Sequence, residues 1–155
     1  MGEGKGPVIR SRMMTAIDLA THFVVAVILA AGFYWFTGKW SWAILTVIGG
    51  VLIDLDHLLD YFLYYGLKFS LKNFFDHKYL ASGKCYILFH SWEVLAAVWC
   101  LSILVRWMVP VASGMTAHVL ADYFFSHRGH PRYMSLIYRW RNGFELSCLS
   151  SGCDR

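Results

Sequence analysis

Six of the ten acidic residues and four of the seven histidines in this 155-residue chain fall inside apolar stretches. The acids are Asp18, Asp54, Asp56, Asp60, Glu93 and Asp122, and the histidines are His22, His57, His90 and His118. Helical positions three or four apart share a face. That spacing pairs Asp18 with His22, Asp54 with His57, Asp56 and His57 with Asp60, His90 with Glu93, and His118 with Asp122. Imidazole and carboxylate are the donor set of Zn2+, with Mn2+ or Fe2+ as less specific candidates. A charged side chain at mid-bilayer costs on the order of 3 kcal/mol, and no lysine or arginine lies deep in the same stretches to offset it. A metal ion would supply the missing positive charge. The expected ligands are His22, Asp54, Asp56, His57, His90, His118 and Asp122, with Asp18 either a further ligand or the partner that orients His22. The carboxylates outnumber the ligands one tetrahedral ion uses, so the set has room for two or more ions. A bound ion lowers the pKa of its water towards about 7 and makes hydroxide available at neutral pH. Glu93 or Asp60 is the expected general base.

The elements that carry these groups read as membrane spans. Apolar residues make up 57% of the chain and charged residues 15%, against roughly 45–50% and about 25% in soluble domains. With a mean hydropathy of +0.46, this excludes a water-soluble enzyme and a disordered tail. Four apolar segments cover residues 15–36, 42–65, 86–109 and 111–125. The first three reach the roughly 20 residues a spanning helix needs; the fourth is short and needs tilt or support from its neighbours. Pro110 is the expected break between the third and the fourth. The predicted fold is all-α: an integral membrane bundle of four transmembrane helices in residues 1–125, followed by a basic, aromatic tail in residues 126–155. Around Tyr133–Trp140 that tail reads as a helix lying on the cytoplasmic membrane surface.

Lysine and arginine placement sets the orientation. Twelve of the fourteen fall on the side of the amino terminus, the central loop and the tail, leaving Lys39 and Arg106 on the other. Both termini are therefore expected in the cytoplasm, with the protein in the cell (inner) membrane. Counted from the ends of the spans at about 1.5 Å per residue, the polar groups of all four spans sit roughly 6–14 Å below the cytoplasmic surface. The outer halves of the spans are almost purely apolar.

Other readings are bland. A net charge of +4 and a pI near 8.9 come without a basic run, so no nucleic-acid partner is expected. The cysteines form no CxxC pair; Cys148 and Cys153 are close enough to pair, but free thiols are expected. No cleavable signal peptide is expected, since the first apolar run is too long for one. His77, His127 and His130 read as surface residues. Gly49, Gly50 and Gly114 read as small residues for close helix packing. The tail arginines read as positive-inside charges, with lipid phosphate as an alternative ligand.

Several of these residues carry a resemblance. Residues 49–57, Gly-Gly-Val-Leu-Ile-Asp-Leu-Asp-His, are similar to the G-x-x-L-P-D-x-D motif of the membrane-bound metal-dependent hydrolases, the YdjM/YbcI-like inner-membrane group. Phe89-His90-Ser91 resembles that family's T-H-S motif, and residues 114–122 resemble its G-x-x-x-H-x-x-x-D motif, with His22 as its early histidine. Ile53 stands where the family has proline. The family's H-R-G is reduced to Asp76-His77-Lys78, while His127-Arg128-Gly129 follows the fourth span. The resemblance implies a metal-dependent hydrolase.

Two function classes follow. In the first, the chain is a hydrolase that cleaves a phosphoester of a lipid or other amphiphile with hydroxide generated on the metal at the cytoplasmic side. Central-loop lysines and tail arginines would hold the anionic headgroup. In the second, the same cluster transports or relays a divalent ion or protons. The apolar outer halves and the small number of spans favour the enzyme. A structural membrane protein with a stabilising metal is the third reading.

Overall fold

The structure is a computed structural model that describes residues 12–126 and 132–151, and these are helical with no strands among them. Helix α1 spans Arg12–Thr37 and α2 spans Trp40–Val51. Gly38 joins them at φ 65°, a left-handed conformation in which a side chain would be strained. Its N–H closes α1 on the Tyr34 carbonyl at 2.8 Å. Past Val51 the helix tightens into a 3-10 turn, Leu52–Asp56, and resumes as α3, His57–Tyr65. Two stretches, Thr15–Thr37 and Trp40–Tyr65, are long and apolar enough to cross a membrane.

The third expected span differs. Residues 86–91 are not helical, and α5 covers only Trp92–Leu104. Thirteen residues reach about 20 Å, short of the roughly 30 Å hydrocarbon layer. The cause lies in the backbone of 86–91, which bonds to side chains instead of continuing a helix. The Tyr86 N–H donates to Asp60 at 2.7 Å and the Phe89 N–H to Asp56 at 2.8 Å. The break expected at Pro110 falls earlier, at an extended Val105, and α6 runs Met108–Ala121. Pro110 sits in the first turn of α6, where a missing N–H leaves no helical bond unmade. A π-helical stretch, Asp122–Ser126, follows directly.

Helix α6 packs on α1, α2 and α5. Its contact with α2 is between backbones. A Cβ on Gly114 would run into the Thr46 carbonyl, and one on Gly49 into the Val111 carbonyl. A Cβ on Gly50 would stand 2.9 Å from the Ala26 methyl of α1. These three glycines are the small-residue seam expected of them.

The central connection carries a short α4, Leu71–Phe75, and a 3-10 turn, Lys78–Ser82. Both gather around Tyr61, which is fully buried among Phe69, Phe74 and Tyr79. Further along the chain, α7 spans Leu136–Arg141 and α8 spans Leu146–Ser151. This segment lies on residues 84–93 and not apart from the helical domain. The Trp92 N–H donates to the Met134 carbonyl at 2.9 Å, and Lys84 bridges to Glu145. Cys85 and Cys100 are free, whereas Cys148 is disulfide-bonded, contrary to the free thiol expected of it. Arg128, Arg155, His127, His130 and Cys153 also lie outside the described residues.

Candidate metal centre

Five parts of the chain bring the cluster together. His22 comes from the middle of α1, Asp54 and Asp56 from the 3-10 turn, and His57 from the first residue of α3. His118 and Asp122 come from the α6–π junction. His90 comes from the irregular segment 86–91 and not from a helix. The 3-10 turn matters because Asp54 and Asp56 are two apart and would diverge on a regular helix. Here both reach His90: Asp54 Oδ1 lies 3.3 Å from Nε2, and Asp56 lies 3.1 Å from Nδ1.

His90 and His118 form the centre. Their Nε2 atoms are 3.1 Å apart, and both residues are about 1% exposed. Asp54 Oδ1 is 3.3 Å from each, while Asp122 Oδ2 is 3.4 Å from His90 and 3.5 Å from His118. Metal–ligand bonds of about 2.0–2.1 Å in a tetrahedral site place neighbouring ligand atoms roughly 3.3–3.4 Å apart. The five separations involving these two imidazoles fall around that edge length.

The outer nitrogens fix the tautomers. His118 Nδ1 meets the Gly50 carbonyl at 2.7 Å; a carbonyl only accepts, so the proton is on Nδ1. His90 Nδ1 faces the Asp56 carboxylate and carries its proton for the same reason. In the neutral rings both Nε2 lone pairs then point inward, toward each other and toward two carboxylates. With both rings neutral this is a buried nest of acceptors without a donor, which either a proton on one Nε2 or a metal cation resolves. Carbonyl and carboxylate partners that orient ligating imidazoles in this way are the usual support of a metal site.

Two further groupings extend the centre. His22 Nε2 is 3.1 Å from Asp122 Oδ1, and its ring stacks on His118 with centroids 3.8 Å apart. With His118 and Asp122 it makes one group that could hold an ion; Asp54, His90 and His118 make another; Asp56, His57 and His90 make a third. His57 is the outermost ligand candidate. Its Nε2 is 4.0 Å from Asp54 and its Nδ1 is 3.4 Å from the Tyr79 hydroxyl. Burial pushes the Tyr79 phenol well above its usual range, so it stays a neutral O–H.

The remaining acidic candidates take different places. Glu93 does not join the cluster. Its carboxylate accepts from the Ser135 hydroxyl at 2.6 Å and from the Leu136 and Ile137 N–H groups at 2.9 and 3.2 Å. It caps the amino terminus of α7, because a carboxylate is the natural partner for those free N–H groups. Asp60 is buried one turn beyond Asp56, with Oδ1 held by the Tyr86 N–H and Oδ2 without a partner. Asp18 stands outside the three groupings, and His22 takes its carboxylate from Asp122 instead. Cys85 offers no nucleophile, since burial pushes its thiol up to about 12.

Arg139 was legible only as a surface charge, yet it is fully buried. Its guanidinium donates to the Ile87 carbonyl and, at 3.2 Å, to the His90 carbonyl. It therefore holds the backbone on either side of Leu88–Phe89, and with it the position of His90. A cavity of about 760 Å3 adjoins the centre, lined by His22 and Asp54, by apolar residues of α1 and α4, and by Lys72.

Residues 12–126 match a family of unknown function, DUF6122. The chain belongs to that family. The matched residues contain every ligand candidate, whereas the segment carrying Arg139 lies beyond them. Comparisons with curated proteins and with solved structures found no match.

Proposed function

We propose that this chain is a membrane-embedded, metal-dependent hydrolase of a phosphoester in a lipid or other amphiphile. One observation carries the reading: the two inward-facing Nε2 atoms of His90 and His118, 3.1 Å apart, with Asp54 and Asp122 beside them. Zn2+ is the assigned ion, since its bond lengths suit those separations and its preference is for nitrogen and carboxylate oxygen. A divalent ion held by His90, His118, Asp54 and Asp122 would supply a Lewis acid and would lower the pKa of water towards about 7. The chain's own residues do the rest. Gly50 and Asp56 hold the imidazoles in their tautomers, and Asp54, with His22, connects the centre to the cavity. Asp60 is retained as the proton acceptor because it keeps an unpaired oxygen.

The four-span arrangement with cytoplasmic termini belongs to the same proposal. It rests on the charge asymmetry and on two stretches of spanning length, with α5 and the α6–π unit as shorter spans packed against them. Such helices thin the bilayer locally or are shielded by neighbours. A non-helical 86–91 at that depth is more tolerable because protein carboxylates satisfy the N–H groups of Tyr86 and Phe89.

Elemental analysis of the purified full-length protein tests the metal, with His90→Ala and His118→Ala alongside. Stoichiometric zinc in the wild type and its loss in both variants is the expected result; a metal-free wild type overturns the reading. Hydrolysis of a lipid-phosphate panel by the wild type, and not by Asp60→Asn, then tests the chemistry. The continuous run His22–Asp122–His118–His90–Asp56 also has the form of a proton or ion relay. Metal-loaded protein that hydrolyses nothing but moves protons or zinc across a liposome membrane would favour that second reading.

A further inference from the structure

The cavity beside the metal centre is bounded on one side by Ala16, Leu19, Ala20 and Phe23 of α1, and on another by Leu71 and Phe75 of α4. Its polar lining is confined to Thr15, His22, Asp54 and Lys72. At about 760 Å3 it lies within the roughly 300–1,000 Å3 range of small-molecule sites, and its make-up, mostly apolar with a few convergent polar groups, is that of such a site. Of the four central-loop lysines, Lys72 alone is among its lining residues. His22 adds a second, independent sign. It is 7% exposed, its Nε2 is taken by Asp122, and its Nδ1 has no partner. A buried ring nitrogen without a partner is uncommon unless something binds there.

We infer that this cavity binds an amphiphile consisting of one alkyl chain and an anionic phosphate monoester headgroup. The chain lies between α1 and α4. The headgroup takes Lys72 as its counter-ion and lies against the imidazole of His22. An anion beside Asp54 needs that carboxylate to be neutralised, so the inference rests on the proposed metal centre. It deepens that reading by naming the substrate class and the residues that select it. The alkyl chain separates this ligand from free phosphate. Charge separates it from neutral or cationic amphiphiles. Both kinds of selection come from the residues of α1 and α4 that line the cavity.

The experiment uses full-length, metal-loaded protein in phosphatidylcholine nanodiscs, with zinc content measured on every sample. Binding of dodecyl phosphate is compared with that of inorganic phosphate and of dodecyltrimethylammonium. Dodecyl phosphate should bind at least about tenfold more tightly than either, a difference the size of one charged contact or a few buried methylenes. Lys72→Glu should weaken it by about tenfold or more, and Ala20→Trp, which fills the cavity, should abolish it, with zinc content unchanged in both. Equal binding by wild type, Lys72→Glu and Ala20→Trp at full zinc occupancy overturns this inference and leaves the metal centre standing. Inorganic phosphate binding as tightly as dodecyl phosphate overturns the role of the chain and hence the ligand class. A wild type without zinc overturns the metal centre, and this inference with it.

Discussion

The contact between α2 and α6 has two ends of opposite character. At one end Thr46, Gly49 and Gly50 meet Val111 and Gly114 backbone to backbone, in regular α-helix, with no polar side chain left unmatched. At the other end the same two helices lose their regular form, one tightening into the 3-10 turn Leu52–Asp56 and the other widening into the π stretch from Asp122. There, histidines and carboxylates crowd together and are short of donors while the imidazoles are neutral. The first end is stable by packing alone. The second is an arrangement that packing forces on polar groups, and it is held by carbonyls, N–H groups and the cation proposed for it. The bond from His118 Nδ1 to the Gly50 carbonyl links the two ends, because it forms only if the glycine seam brings the backbones close. Irregular helix at the site is thus positioned by very regular helix one turn away.

The largest expected effect comes from wedging the regular end apart. Gly114→Leu would drive a side chain into the Thr46 carbonyl. A loss of about 3 kcal/mol or more is expected, enough to abolish the folded protein in detergent. Thermal unfolding followed by circular dichroism reads it, and a normally stable, metal-binding variant would break the comparison. Next comes the irregular end: His118→Ala should keep the helical spectrum while metal affinity falls by a factor of about 100 or more, since a ligand and the link to Gly50 go together. Loss of helix along with metal would mean the two ends are not separable.

Asp56→Asn probes the support of the site. The amide still occupies the space between the Phe89 N–H and His90, but it no longer favours the Nδ1–H tautomer as a carboxylate does. A drop in metal affinity of about 10–100-fold is expected, measured by competition with a chelator. An unchanged affinity would show that the His90 tautomer is set elsewhere. The smallest effect belongs to Glu93→Gln, which touches only the cap of α7. Stability should fall by about 1 kcal/mol with zinc stoichiometry intact. A full loss of hydrolysis in a folded, metal-loaded Glu93→Gln protein would instead restore Glu93 to the site.

Much of the cluster was legible because buried charge is costly and therefore informative. His22, His90, His118, Asp54, Asp56 and Asp122 stood out as polar groups in apolar surroundings, and the structure gathers them within hydrogen-bonding reach. Glu93 stood out for the same reason, yet it serves a helix terminus 42 or more residues away in sequence. Its spacing from His90 carried a helical signal only on the assumption that a helix ran through 86–91. That assumption failed because Asp56 and Asp60 offer the segment's N–H groups partners outside any helix. Arg139 could not be found from its neighbours in sequence, which are aromatic and basic like those of any membrane-surface helix. Its signal exists only where Ile87 and His90 turn their carbonyls towards it.

Composition and periodicity by themselves determined a helical chain, four apolar segments of which the structure makes two long enough to cross a membrane, and a set of histidines and carboxylates too costly to be there without a partner. These are local properties, set by each residue's own hydration and by the 3.6-residue repeat. The tertiary structure decided which of those groups converge, that His90 reaches the centre from a loop, and that Glu93 and Arg139 tie the C-terminal segment to it. The reason is physical. Convergence depends on where helices stop and how closely their backbones approach, and both are fixed by contacts between residues far apart in the chain.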